Sequence, residues 1–298
     1  MYWGIRHNED STMMRSMTCN SHPADRMCKA IDRVSSPMCV GIDPVQSKLP
    51  EALQGLHLVE SFQIFCGGIL DAVAPYAASV KFQSACFERL GASGVSLLGE
   101  LRMQAQSLDL QIILDAKRGD IGISADHYAA AATADGPCDW VTVNPYLGID
   151  GIIPFIDAGL GAYCLVRTSN PSGDAIQKQQ LEDGRTVAES IGLLLHDLGN
   201  NYLGKSGWSA VGAVVGATKP VEASSLRNIM PEQMFLMPGI GAQGAKVSDV
   251  ASCFGDGHGA LATASRSVTY PEFSANWQDS IASAAQALSL ELQANTTV

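Results

Sequence analysis

Short apolar segments alternate with helical segments along most of this chain, and this alternation restricts the possible fold more than any other feature. The apolar segments have the length of strands, and we predict strands at 38–44, 78–83, 111–115, 140–144, 162–167, 210–216, 234–237 and 259–263. Helices are predicted at 24–34, 58–74, 91–107, 124–134, 150–158, about 185–203, 220–229 and 272–290. Strands that alternate with helices form parallel βαβ units. Eight of them predict an α/β fold of the (β/α)₈ TIM-barrel type.

The barrel accounts for nearly the whole chain. Residues 1–20 are polar and Met-rich and show no periodicity, so we expect a disordered N-terminal extension there. No linker interrupts the remainder, and barrels of about 250 residues are common as single domains. We therefore predict one barrel domain over residues 21–298.

Charge and cysteine content exclude several classes of protein. The chain has 19 Lys and Arg against 30 Asp and Glu, a net charge of −11, which argues against nucleic-acid binding because that depends on basic patches. No apolar stretch approaches the roughly 18 residues of a membrane span, and no signal-peptide core is present. The cysteines are scattered, and neither they nor the six histidines show metal-ligand spacing. We expect a cytoplasmic protein with reduced cysteines, no metal site and no membrane partner.

The third predicted strand runs into a dense cluster of charge. Alternate side chains of a strand point the same way, so Asp115 and Lys117 should face one pocket at the carboxyl end of the barrel. Asp120 follows where the next helix begins. An ammonium group between carboxylates is held in its charged form, and such a group can stabilise a carbanion and then protonate it. An isolated Asp-x-Lys is more often a solvated turn than a catalytic site. Other segments of the chain are therefore needed to distinguish these two interpretations.

Two loops predict a phosphate site. The glycine-rich segment 238–245 follows the seventh strand, and Ser265-Arg266-Ser267 follows the eighth. In barrels these two loops frequently bind phosphate, and an arginine can bind phosphate oxygens with two parallel hydrogen bonds. A phosphorylated substrate is the natural inference.

The charged segment resembles a known family. Residues 115–122 are similar to the Asp-x-Lys-x-x-Asp-Ile signature of the orotidine 5′-phosphate decarboxylases, in the branch with the longer bacterial chain. Seven further segments resemble that family in the same order, namely 41–44, 80–83, 143–148, 167–171, 212–218, 238–244 and 265–267. The resemblance extends over about residues 22–285. It overturns the reading of a solvated turn.

The resemblance implies roles for the charged residues. Lys117 is expected to donate the proton to C6 of the pyrimidine, and Asp115 to lie against the departing carboxylate. Asp120 is expected to reach into the site of a neighbouring subunit, which implies a homodimer with shared sites. Ile121 should line that same site, and Ser124 stands where the family usually has Thr.

It also implies contacts to the rest of the substrate. Asp43 and Lys81 are expected to bind the ribose hydroxyls, and Gln243 and Arg266 the phosphate. Ser169 is the favoured contact to the pyrimidine amide, with Thr168 as its rival.

The reaction implied is the decarboxylation of orotidine 5′-phosphate to uridine 5′-phosphate, with neither metal nor organic cofactor. Two alternatives stay open. One is a magnesium-dependent phosphosugar decarboxylase of the same superfamily, and the other is a barrel that binds a nucleotide without catalysis. The segments around Asn170 and Gln243 disfavour the first, and the intact set of Asp115, Lys117 and Asp120 disfavours the second, since a buried charge cluster is costly to keep.

Overall fold

A closed barrel of parallel strands forms the centre of the molecule. The computed structural model describes residues 21–241 and 244–296. Within these residues each strand pairs with the next along the chain, and β8 returns to pair with β1. The strands are β1 Met38–Ile42, β2 Ser79–Gln83, β3 Gln111–Arg118, β4 Trp140–Val143, β5 Gly161–Arg167, β6 Ser209–Val215, β7 Gln233–Pro238 and β8 Ala260–Ala264. The predicted (β/α)₈ barrel is confirmed, whereas the extension expected at 1–20 lies outside the described residues.

Helices surround the barrel. They are α1 Pro23–Val34, α2 Leu58–Val73, α3 Ser84–Glu88, α4 Ala92–Ser107, α5 Gly122–Ala134, α6 Ile153–Asp157, α7 Asp174–Gln177, α8 Val187–Gly199, α9 Pro220–Ile229, α10 Arg266–Thr269 and α11 Trp277–Asn295. The helix predicted at 91–107 is preceded by the separate α3, because Gly91 has a φ of 67° and breaks the helix. The helix predicted at 150–158 is shorter, and the last helix begins later than residue 272. None of the described helices is long and apolar enough to cross a membrane.

Strand β3 is three residues longer than predicted. It continues through Arg118 instead of ending at Asp115, and its register against β4 shifts between Leu114 and Arg118. Lys117, inside the shifted stretch, has a φ of 46°, a left-handed conformation that residues other than glycine seldom adopt. A pattern of apolar residues carries no signal for such an irregularity.

Helix α1 closes the amino-terminal end of the barrel. Its buried Met27 and Ile31 belong to the same apolar cluster as Trp140 and Tyr163, whose rings stack with centroids 4.4 Å apart. Gly161 makes this stack possible, because a Cβ at that position would lie 2.2 Å from the indole of Trp140. The closed end leaves the carboxyl ends of the strands as the open mouth of the barrel.

Candidate active site at the carboxyl ends of the strands

A cavity of about 340 Å³ opens at the carboxyl ends of the strands. Every strand, or the segment directly after it, contributes a lining side chain; in order from β1 to β8 these include Asp43, Lys81, Asp115, Thr142, Leu165, Val214, Leu236 and Thr263. Polar and charged groups come from β1 to β4 and from the segment after β5, while the lining residues within β5 to β7 are apolar. A wall of each kind suits a ligand with a flat, partly apolar ring and charged substituents.

Three of the predicted residues form one continuous charge network, and a fourth adjoins it. The Lys81 ammonium lies 2.7 Å from Oδ2 of Asp115 and 3.7 Å from Oδ1 of Asp43. The Lys117 ammonium lies 2.5 Å from Oδ1 of Asp115. Asp115 and Lys81 are each 8% exposed at the side chain, whereas Lys117 is 47% exposed. The Lys117 ammonium is therefore the more accessible of the two that line the cavity.

This network sets the charge state of its buried members. Burial raises the pKa of Asp115, but the nearby Lys81 and Lys117 ammonium groups outweigh it and lower that pKa to about 2. Burial lowers the pKa of Lys81, but Asp43 and Asp115 outweigh it and raise that pKa above its usual value. Asp115 is thus a carboxylate and Lys81 an ammonium at neutral pH.

Thr142 on β4 belongs to the network and was not singled out in the sequence. It is 1% exposed, its hydroxyl donates to Oδ1 of Asp115 at 2.9 Å, and it accepts the backbone N–H of Lys117 at 2.9 Å. Gln83 at the end of β2 also lines the cavity without a role assigned from the sequence. A threonine inside an apolar strand looks like an ordinary strand former. Its position on β4 opposite Asp115 of β3 would have identified it as part of the network, but the register between two strands cannot be read from the sequence.

The two loops predicted to bind phosphate meet at the cavity. Pro238 lines it from the end of β7 and Gly239 and Ile240 from the loop that follows, while Ser265 and Arg266 line it from the start of α10. A Cβ on Gly41 would lie 1.9 Å from the Ser265 hydroxyl oxygen, so glycine at this position lets β1 and the loop after β8 approach each other. Gln243, the other predicted phosphate ligand, lies outside the described residues.

The segment after β5 is tied to the barrel by a buried arginine. Arg167 is 1% exposed and donates to Asp174 at 2.7 Å and to Gln177 at 3.1 Å. Gln177 in turn bonds the backbone N–H and the hydroxyl of Thr168. Ser169 also lines the cavity, and no hydrogen bond engages its hydroxyl within the described part of the chain. Because the Thr168 hydroxyl is already bonded, Ser169 is the freer of the two rivals.

Three predicted residues do not line this cavity. Asp120, Ile121 and Ser124 lie at the start of α5, and Ile121 is 54% exposed. Oδ1 of Asp120 accepts the backbone N–H of Ile121 at 2.9 Å. Residues that complete the site of a neighbouring subunit would have to lie outside the cavity of their own chain, as these three do. That they complete such a site stays a prediction.

Comparison with known proteins places the chain in a family. Residues 36–269 match the profile of the orotidine 5′-phosphate decarboxylase / HUMPS family. The chain is 38% identical over 289 residues to the orotidine 5′-phosphate decarboxylase of Rhodopirellula baltica, covering 88% of this chain and 95% of that protein. It is 42% identical over 242 residues to the enzyme of the same name from Deinococcus radiodurans, covering 78% of this chain and 84% of that protein.

Its structure is similar to that of the Leishmania donovani OMP decarboxylase, with a TM-score of 0.77, 28% identity, and coverage of 92% of this chain and 98% of that one. The matching profile spans the barrel from β1 to α10, which includes every strand that lines the cavity. The chain therefore belongs to the orotidine 5′-phosphate decarboxylase / HUMPS family.

Proposed function

We propose that this protein is a carboxy-lyase that converts orotidine 5′-phosphate to uridine 5′-phosphate and CO₂, the last step of de novo UMP biosynthesis. The observation that carries the proposal is the Lys117 ammonium 2.5 Å from the Asp115 carboxylate at the mouth of the barrel cavity. The relatives named above, at 38% and 42% identity, support the same reaction.

Lys117 is the proton donor in this proposal. Loss of CO₂ leaves an electron pair and negative charge on C6 of the pyrimidine, and a fixed ammonium beside C6 stabilises that charge as it develops. The electron pair then takes a proton from Lys117, which leaves a C–H bond at C6 and a neutral amine that solvent reprotonates. The 47% exposure of Lys117 leaves its ammonium free to face the substrate.

Asp115 and Lys81 hold the donor in place. Both carboxylate oxygens of Asp115 accept hydrogen bonds, one from Lys81 and the other from Lys117 and Thr142. The departing carboxylate lies against Asp115 in this arrangement, so the repulsion between these two negatively charged groups is relieved as CO₂ leaves and the charge moves to C6. Asp43, 3.7 Å from Lys81 and 33% exposed, binds the ribose hydroxyls together with Lys81.

The remaining parts of the substrate extend towards the other loops. Ser169, whose hydroxyl is unengaged within the described residues, binds the pyrimidine amide. Arg266 binds the phosphate, with Gln243 from the loop after β7. Contacts to the phosphate, remote from the reacting carbon, supply binding energy that orders the site around the base.

The site is shared between two subunits. Several apolar side chains at the start of α5 and in the segment after β4 are exposed: Ile121 is 54% exposed, Ile123 72%, Tyr146 85% and Leu147 50%. The start of α5 packs against the turn at 149–151, so these side chains belong to one region of the surface. An exposed apolar region of this kind marks an interface, and a symmetric homodimer is the commonest way to cover one. Asp120, Ile121 and Ser124 then complete the partner's site.

Mixed dimers test this sharing. We expect Lys117→Ala and Asp120→Ala each to be inactive alone. If Asp120 serves the partner's site, random pairing of the two variants should restore about a quarter of the wild-type activity, because half the dimers carry one intact site. If mixed dimers, recovered through a tag carried by only one of the two variants, stay inactive, Asp120 acts within its own chain.

A cytoplasmic location is part of the proposal. The described cysteines, seven in number, are all free thiols, and six of them are buried. Buried thiols of this kind behave as small apolar side chains, as in proteins of reducing compartments.

A metal-independent assay tests the reaction. We expect the wild-type protein to consume orotidine 5′-phosphate, followed by ultraviolet absorbance, at the same rate with and without excess chelator. A protein that leaves orotidine 5′-phosphate unchanged but decarboxylates a phosphosugar only when magnesium is present would favour the phosphosugar decarboxylase alternative. A protein that binds uridine 5′-phosphate but turns over no substrate would be a binding barrel.

A further inference from the structure

The backbone of Lys117 adopts a conformation that its own sequence does not favour. Its φ of 46° places a long-chain residue in the left-handed region, where Cβ crowds the neighbouring carbonyl group. Apart from glycines, only Ser35 and Asp109 share a positive φ within the described residues. Both lie outside the cavity lining, whereas Lys117 is the proposed proton donor. Something must hold the chain in this conformation at that residue.

The pairing of β3 with β4 shows that the backbone of Lys117 lacks a regular partner strand residue. Leu114 of β3 pairs with Val141 of β4, and Arg118 pairs with Val143. Three residues of β3 therefore lie opposite a single residue of β4, Thr142. The ladder is interrupted over this stretch, and it resumes where Asn144 donates its N–H to the carbonyl oxygen of Arg118 at 2.7 Å.

The Thr142 hydroxyl replaces the missing partner. It accepts the backbone N–H of Lys117 at 2.9 Å and donates its own hydrogen to Oδ1 of Asp115 at 2.9 Å. The two roles are unambiguous, because an amide N–H can only donate and a carboxylate oxygen can only accept. At 1% exposure Thr142 is almost completely shielded from solvent.

The same oxygen of Asp115 also accepts the Lys117 ammonium, at 2.5 Å. The Thr142 hydroxyl thus holds two groups in place: the backbone N–H of Lys117, and the Asp115 oxygen that accepts the Lys117 ammonium. Each anchor is needed, because the 47% exposed side chain is otherwise free to move.

We propose that Thr142 is a positioning residue that holds Lys117 in its irregular backbone conformation and directs its ammonium towards the reacting carbon. The proposal rests on the proposed function of Lys117 as proton donor. Thr142 acts through Lys117 and Asp115, so its loss should slow the chemical step and leave the binding of phosphate and ribose largely intact.

Two pairs of variants isolate the hydroxyl group. Thr142→Val keeps the shape of threonine without its hydrogen bonds. Thr142→Ser and Thr142→Ala differ from each other by a single oxygen, and they keep the test available if the valine variant does not fold. We expect kcat to fall by about 10- to 100-fold for the valine and alanine variants, as for a small displacement of a catalytic group. The KM for orotidine 5′-phosphate should stay within about threefold, and serine should recover most of the lost kcat.

A matched control removes another buried strand hydroxyl. Ser79 is 0% exposed on β2, two residues before Lys81 and outside the cavity lining. Ser79→Ala should keep the wild-type kcat. A loss of kcat in Ser79→Ala equal to that in Thr142→Ala would overturn the proposal, because any buried hydroxyl would then have the same effect.

Other outcomes are equally decisive. A valine variant with wild-type kcat, or a serine variant as slow as alanine, would also overturn the role of the hydroxyl. Lys117→Ala, assayed in parallel, separates the two proposals. If it keeps full activity, the role of Lys117 itself fails; if it is inactive while Thr142→Val is fully active, only the role of Thr142 fails.

Discussion

The two ends of the barrel are built from the same strands and have opposite character. On β4, Trp140 lies in the closed apolar end under α1, and Thr142, two residues on, lies in the charge network. On β3, Ile113 belongs to the apolar cluster and Asp115 to the network. Two residues along a strand span only about 7 Å. This short distance separates a dry stack that stabilises the barrel from a charged mouth suited to catalysis.

Substitutions at the two ends of the barrel should therefore have different effects. At the closed end, side chains pack against each other and meet no ligand, so changes there should alter the free energy of unfolding. At the mouth, Lys117 is half exposed and makes few contacts, so its change should alter the rate and leave stability nearly unchanged. The closed end should thus mainly determine the stability of the barrel, and the mouth mainly its activity.

The largest stability effect is expected for Trp140→Ala. Trp140 is 0% exposed and stacks on Tyr163, and truncation of such a residue costs about 3–5 kcal/mol through lost burial and the cavity left behind. Urea unfolding measures the loss, and kcat of the folded fraction should stay near the wild-type value. Trp140→Phe is the matched control: it keeps an aromatic ring at this position, so it should cost less than Trp140→Ala. A fall in kcat with unchanged stability would contradict the assignment of this end to packing.

Lys81→Met should lower both stability and activity, because Lys81 lies at the mouth of the barrel and is nevertheless buried. Removing one partner from a buried pair leaves Asp115 with less compensation and costs about 3 kcal/mol. Activity should also fall, since Asp115 then loses one of the groups that orient it. The double variant Lys81→Met/Asp115→Leu, which removes both charges, should be more stable than Lys81→Met alone in urea unfolding. A double variant less stable than the single one would show that the pair contributes no mutual compensation.

A smaller effect is expected from acid. The pKa of Asp115 is lowered from 3.8 to about 2 in the folded protein, so its ionised form stabilises the fold above pH 3.8 and loses this contribution as pH falls through 2. The full contribution is about 2 kcal/mol, and about half of it should be gone at pH 3. The difference in unfolding free energy between wild type and Asp115→Asn should shrink accordingly between pH 6 and pH 3. A difference independent of pH over this range would show that Asp115 is not held ionised by its neighbours.

Two sequence patterns were sufficient to predict the barrel and most of the residues at its mouth. The alternation of apolar strands with helices locates all eight strands, and the period of two along a strand places Asp115 and Lys117 on one face. The left-handed Lys117 and the role of Thr142 escaped it, because side-chain types report neither backbone dihedrals nor the register between strands. The roles proposed for Asp120 and Ile121 require a second subunit, so they stay predictions that the pattern of a single chain does not test.

One pair of measurements on Lys117→Ala tests the central claim most directly. We expect kcat for orotidine 5′-phosphate to fall by about 10³-fold or more, while the free energy of unfolding changes by less than about 1 kcal/mol, because the side chain is exposed. That result would place the proton donor at the mouth and the stability at the closed end. An active Lys117→Ala protein, or one that loses activity only because it unfolds, would contradict the account.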